Sequence, residues 1–123
     1  MSERSAVLVV DDDESIRHFI EQILIRSGFD VVSANDGISA IEKIAAADFD
    51  AIVLDLMMPR LDGFGVLRYL HDSNARMVPR TVVATASPRD AANRELRDIC
   101  RILVKPFDAG RLIDAIHECL AAN

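Results

Sequence analysis

Tryptophan is absent from this chain, tyrosine occurs once, and only two cysteines, four prolines and five glycines are spread over 123 residues. Cys100 and Cys119 lack the close spacing of metal ligands, and two cysteines do not make a disulfide framework, so a stapled secreted scaffold is excluded. Cys119 continues an apolar helical stripe and Cys100 borders a strand. Both are expected to be reduced packing residues, as in the cytosol. No Pro/Gly/Ser-rich linker, repeat or low-complexity segment divides the chain. No apolar run approaches the ~20 residues of a membrane span, and no signal peptide precedes the first strand. The expected location is therefore the cytoplasm, with no membrane insertion. Basic charge is also short: 14 Lys and Arg face 20 Asp and Glu, a net charge of −6. That balance disfavours nucleic acid as a direct partner, because phosphate backbones favour basic faces.

Half of the residues are apolar, and their arrangement is regular. Short runs rich in Val and Ile at 6–10, 30–34, 51–54, 81–85 and 101–104 read as strands buried on both faces. Helical patterns lie between them. Ile16, Phe19, Ile20, Ile23 and Leu24 follow the i, i+3, i+4, i+7, i+8 rule, and Ser27-Gly28 is the stop. Ile38, Ile41, Ile44 and Ala45 mark a second helix, Phe64, Leu67 and Leu70 a third. Leu112, Ala115, Ile116, Cys119 and Leu120 mark the last. Ser87-Pro88 is a capping hydroxyl followed by a proline at the first helical position, and it predicts a fourth helix in this series. Its apolar set (Ala92, Leu96, Ile99) is thin and its surface carries Arg89, Arg94 and Arg97, so that helix should be short and comparatively mobile. Five βα units with short connections and right-handed crossovers predict a single α/β domain over residues 1–123, a three-layer sandwich around one parallel sheet.

Charged and hydroxyl residues recur just past the strand-like runs. Asp11, Asp12 and Asp13 follow the first, Asp55 follows Ala51–Leu54, Thr85 ends the fourth and Lys105 follows the fifth. Parallel strands would gather these groups at one sheet edge, where open α/β sheets bind ligands. Carboxylates, a hydroxyl and an ammonium at that edge suit a hard divalent cation and a phosphoryl group. Mg²⁺ takes oxygen ligands and keeps several waters, so Asp12 and Asp55 could bind it directly and Asp11 through water. Clustered carboxylates repel one another, which should raise at least one pKa without a cation. A carboxylate is also a nucleophile toward phosphorus; Lys105 would pair with one phosphate oxygen and Thr85 would donate to another. Asp13 reads as a helix cap only.

Four segments carry a resemblance that covers the whole chain in order. Val9-Val10-Asp11-Asp12, Val53-Leu54-Asp55-Leu56-Met57-Met58-Pro59-Arg60-Leu61-Asp62-Gly63, Ala84-Thr85-Ala86 and Val104-Lys105-Pro106-Phe107 resemble the receiver domains of two-component response regulators. The resemblance implies a flavodoxin-like (βα)5 fold with strand order 2-1-3-4-5, an order for which a member of this family is a standard example. It implies Asp55 as phosphoacceptor, and Mg²⁺ held by Asp11, Asp12, Asp55 and the backbone carbonyl of Met57, with Mn²⁺ able to substitute. It implies Thr85 as the switch hydroxyl and Lys105 as the phosphate-binding lysine, with an often-cis peptide to Pro106. Three features depart from the pattern. Ile102 stands where receivers usually carry an aromatic switch residue, and an aliphatic side chain has no ring to swing inward behind Thr85. The stretch from Thr85 to Lys105 is slightly short and lacks the usual Gly-Ala. Met57 and Ser87 occupy the variable positions beside the phosphoryl group, and a bulky Met57 should hinder the attacking water, giving a phosphoryl lifetime of minutes or longer.

The resemblance implies a phosphorelay switch, not a classified enzyme. The donor would be a sensor histidine kinase or a histidine phosphotransfer protein. The output would be a downstream protein target read by the fourth helix, fifth strand and fifth helix, from a monomer or a phosphorylation-dependent dimer. An alternative is a constitutive docking module that takes no phosphate. An aspartyl-phosphate phosphohydrolase of the haloacid dehalogenase kind is disfavoured, because that chemistry needs a second acid where Met57 stands. His18, His71 and His117 are scattered over helices without partners at metal spacing and read as solvated or packed residues.

Overall fold

The computed structural model describes residues 4–87, 89 and 94–121. Its strands are β1 (Ala6–Val10), β2 (Asp30–Ala34), β3 (Ala51–Asp55), β4 (Thr81–Thr85) and β5 (Arg101–Val104). Its α-helices are α1 (Glu14–Arg26), α2 (Gly37–Ala46), α3 (Gly63–Ser73) and α4 (Ala109–Ala121). All strands are parallel in one five-stranded sheet of order β2-β1-β3-β4-β5. β1 lies at the centre of the crossover, paired with both β2 and β3.

Alternation along the strands divides the core into two apolar layers. Leu8, Val10, Ile52, Leu54 and Val83 point to the α2 and α3 side, where they meet Ala40, Ile44, Val66, Leu67 and Leu70. Val7, Val9, Ala51, Val53, Val82 and Ala84 point the other way, to Ile20 and Leu24 of α1 and Leu112, Ala115 and Ile116 of α4. Because both faces are covered, β1 and β3 read as unbroken apolar runs.

Each of the four α-helices starts on an aspartate. Asp13, Asp36 and Asp62 accept from the backbone N–H of Ile16, Ser39 and Gly65, and Asp108 accepts from that of Arg111 at 2.8 Å. A carboxylate there satisfies an orphan N–H and opposes the positive end of the helix dipole. Helix α1 ends through Ser27 into Gly28, whose φ of +93° is the left-handed conformation glycine adopts without strain.

Three expectations need correction, and one element was not anticipated. The buried face of α2 runs through Gly37, Ala40 and Ile44, whereas Ile38 is exposed to solvent, as is Ala45. The helix turns its small residues inward because its first turn touches the backbone of Leu61, onto whose carbonyl the Gly37 N–H is bonded at 3.0 Å. Phe19 is 46 % exposed rather than packed in the α1 stripe. With Ile16, Ala86, Lys105, Pro106 and Phe107 it lines an apolar hollow of about 420 Å³. A 3-10 turn over Ala75–Arg80, which no periodicity announced, leads into β4. Finally, Cys100 and Cys119 are joined by a disulfide and are not a reduced pair. The interval of 19 residues hides the closeness of their Cα atoms, 5.7 Å apart once β5 packs beside the last turns of α4. The expected helix after Ser87 falls partly on Pro88 and residues 90–93, outside the described residues. A 3-10 turn at Arg94–Leu96, with Leu96 buried, then leads toward β5.

Candidate functional site

The carboxyl ends of β1, β3, β4 and β5 deliver the polar groups anticipated from their spacing. Asp11 follows β1 and is 1 % exposed; Asp55 ends β3 at 6 %. Asp12 is exposed beside them. One carboxylate oxygen from each of Asp11, Asp12 and Asp55 lies within 4.8 Å of the others. The Lys105 ammonium reaches in from the end of β5, 2.9 Å from Asp11 Oδ2 and 3.5 Å from Asp55 Oδ1. The Lys105–Pro106 peptide is cis, as the resemblance implied. Thr85 is buried at the end of β4; the Ser87 N–H donates to its Oγ1 at 3.2 Å. Its carbonyl accepts from the Lys105 N–H at 2.7 Å, which ties the ends of β4 and β5 together.

Electrostatics follow from this crowding. The Asp55 carboxyl is raised from 3.8 to about 6, chiefly by burial and then by the negative charge of Asp11, with Lys105 and the Met57 N–H pulling the other way. Burial opposes the charged form of Lys105, but its hydrogen bond to Asp11 and the charges of Asp55 and Asp11 outweigh that and raise its pKa. Asp55 thus takes up a proton more readily than an ordinary aspartate, and a cation would suit the cluster.

The loop after β3 is held in place by groups that sequence inspection passed over. Asp36 is 1 % exposed, caps α2 and forms an ion pair with Arg60, whose φ of +68° marks a tight turn. An aspartate before Gly37 at a helix start was visible in the sequence, but its tie to Arg60 exists only in three dimensions. Gly63 donates to the Leu56 carbonyl at 2.9 Å. A Cβ at Gly63 would stand 2.4 Å from the backbone oxygen of Asp55, so α3 starts directly against the strand end that carries the carboxylate. Arg17 of α1 donates to the Asp11 carbonyl at 3.0 Å. The Asp13 carboxylate caps α1, as expected, and its N–H also donates to Asp11 Oδ1 at 2.9 Å. Met57 is 68 % exposed beside the cluster, and its N–H donates to Asp55 Oδ1 at 3.3 Å. Among the described residues no histidine or cysteine joins the acidic group.

The profile of the response regulator receiver domain matches residues 7–117. This chain belongs to that family. It is 34% identical over 118 residues to the chemotaxis protein CheY of Bacillus subtilis, a match covering 93% of this chain and 96% of CheY. It is 46% identical over 118 residues to the response regulator MprA of Mycobacterium leprae, covering 93% of this chain but 50% of MprA. The receiver therefore spans nearly the whole of one relative and half of the other. The structure of the chemotaxis response regulator CheY4 of Vibrio cholerae superposes with a TM-score of 0.86 at 28% identity, covering 96% of this chain and 100% of that one. Receiver domains of response regulators are signalling switches that interact with kinases and downstream targets. No described helix of this receiver is long and apolar enough to cross a membrane.

Proposed function

We propose that this receiver is a phosphoryl-accepting switch with Asp55 as the acceptor. The observation that supports it best is the placement of that carboxylate: at the end of β3, 3.5 Å from the Lys105 ammonium, in a group of three carboxylates whose oxygens lie within 4.8 Å of one another. The all-oxygen donor set, two members buried and one exposed, fits a hard divalent cation that keeps part of its water shell. Asp11, Asp12 and Asp55 with the backbone carbonyl of Met57 would hold Mg²⁺, and Mn²⁺ would substitute because it takes the same hard oxygen donors. When bound, the cation would neutralise charge on the carboxylates and on the incoming phosphoryl oxygens.

An oxygen of the ionised Asp55 carboxylate attacks the phosphorus of a partner's phosphohistidine. The P–O bond forms as the P–N bond breaks, and the departing imidazole keeps the electron pair and takes up a proton. Lys105 exchanges its bond to Asp11 for one to a phosphoryl oxygen, and the Thr85 hydroxyl donates to another. The donor is a sensor histidine kinase or a histidine phosphotransfer protein. The added charge of ~−1.5 to −2 draws Thr85 and Lys105 inward, and the change is read by a downstream protein target on β5, α4 and the segment between β4 and β5. On this reading the receiver is cytoplasmic and acts as a monomer or a phosphorylation-dependent dimer. It assists its own phosphoryl transfer and loss without being a classified enzyme, and it makes no direct nucleic-acid contact.

Intact mass after incubation with a small acyl phosphate, with and without Mg²⁺, tests this reading. A Mg²⁺-dependent gain of one phosphoryl group that Asp55→Ala abolishes is the expected result. Absence of that gain, with Mg²⁺ binding confirmed independently, favours a constitutive docking module. That second reading draws on Ile102, an aliphatic residue packed against the α2–α3 layer of the core.

A further inference from the structure

The disulfide between Cys100 and Cys119 lies at the end of β5 away from the acidic cluster. Cys100 immediately precedes β5, with its N–H bonded to the Thr81 carbonyl at 2.9 Å, whereas Lys105 follows the other end of the strand. Cys119 sits near the end of α4 and is fully buried with Leu112, Ala115 and Ile116; Cys100 is partly exposed. The neighbouring residues repeat the connection, because Arg101 forms an ion pair with Glu118. Covalent and ionic ties thus join the same two turns, one on the sheet and one on the helix.

Three features separate this cross-link from one that merely holds a small fold together. First, the two apolar layers enclose a core of ordinary size for a chain of this length, so folding does not depend on a staple. Second, one sulfur belongs to a residue that solvent reaches, which leaves a path for a small thiol or disulfide. Third, among the described residues β5 is an edge strand paired with β4 alone, and α4 packs beside it. The bond therefore fastens an edge strand to the helix end beside it; among the described residues the two also meet through packing and the exposed Arg101–Glu118 ion pair, and exposed pairs contribute little.

We propose that Cys100 and Cys119 form a redox modification site, a dithiol–disulfide pair that a small disulfide of the glutathione class closes and its thiol reopens, fastening β5 to the last turns of α4. In the closing direction the Cys100 thiolate attacks one sulfur of the oxidant. Its S–S bond breaks and the first small thiolate leaves and is protonated. The Cys119 thiol then gives up its proton and attacks the Cys100 sulfur of the mixed disulfide, releasing the second small thiol. Two electrons and two protons pass from the protein to the oxidant, which ends as two thiols. Cys100 is the entry point because it is accessible; Cys119 reacts when the last turn of α4 opens. The redox state then sets how independently β5 and α4 move.

The test uses the full chain in glutathione buffers of graded ratio, with thiols counted by alkylation and intact mass. Neither readout involves phosphoryl transfer. The folded protein should shift as one population between two free thiols and none, reversibly, and either single variant, Cys100→Ser or Cys119→Ala, should lose the transition. Backbone hydrogen exchange at residues 101–105 and 115–121 should be slower in the oxidised form by about tenfold, with exchange in β1 and β3 unchanged. Should Cys119→Ala fail to fold, Cys100→Ser carries the control, since its side chain is partly exposed. A disulfide that resists excess reduced glutathione in the folded protein overturns the proposal. So do thiols that stay free in excess oxidised glutathione, and so does identical exchange in the two forms.

Discussion

The Lys105 ammonium is bonded to Asp11, 94 residues earlier in the chain, at 2.9 Å, and stands 3.5 Å from Asp55. Lys105 therefore supplies positive charge to the acidic cluster, and moving it toward a phosphoryl group leaves the almost fully buried Asp11 with the Asp13 N–H but without this close counter-charge.

Lys105→Ala should accordingly destabilise the cation-free protein by about 1–3 kcal/mol at neutral pH, because Asp11 is left buried without its counter-charge. Mg²⁺ should restore most of that loss. Urea midpoints of both proteins with and without Mg²⁺ check it; equal losses in both conditions would show that Lys105 acts through packing alone.

The raised pKa of Asp55 makes stability depend on pH in a direction opposite to that of an ordinary salt-bridged carboxylate. Its folded value of about 6 exceeds its ordinary 3.8, so across this window the folded state binds more protons than the unfolded state. The contribution from protonated Asp55 is complete below the lower value and is lost as pH rises through about 6. Relative to Asp55→Asn, the wild-type protein should lose stability over that interval and then level off, by about 1–3 kcal/mol in total. Parallel chemical denaturation of the two proteins without divalent cations should show this, and a flat difference would contradict it.

Gly63→Ala tests whether the start of α3 sets the position of Asp55. The new Cβ would stand 2.4 Å from the Asp55 carbonyl oxygen and 2.7 Å from the Leu56 Cα, neither of which is a flexible side-chain end. A loss of about 2 kcal/mol or more is expected, with weaker Mg²⁺ binding in whatever folds. Unchanged Mg²⁺ affinity measured by calorimetry would show that the strand end holds Asp55 without the helix.

Met57 stands 68 % exposed beside the acidic cluster. Its apolar bulk should hinder the water that hydrolyses the aspartyl phosphate. Phosphoryl loss from the wild-type protein is expected over minutes or longer, and Met57→Asn should speed it severalfold. Decay measured by radiolabel or intact mass within seconds, and equally fast in both, would remove Met57 from that role.

Much of this receiver was legible in the sequence because local patterns reflect local physics. The strands were placed closely because residues buried on both faces leave continuous Val and Ile runs, and each run ends where the polar site begins. Asp11, Asp12, Asp55, Thr85 and Lys105 meet at one edge because parallel strands share a direction, so residues that follow them share an end. The start of α1 at Asp13 and its stop at Gly28 were also readable, since capping depends on residues within one turn. Other relationships needed the assembled fold. The inward face of α2 is settled by a backbone bond from Gly37 to Leu61, not by the positions of its isoleucines. Asp36 meets Arg60, Lys105 prefers Asp11, and Cys100 joins Cys119 because crossovers bring separate segments together. Sequence determined which groups stand at the strand ends; tertiary packing decided which of them touch, because distance between side chains depends on how strands and helices are layered and not on their separation along the chain.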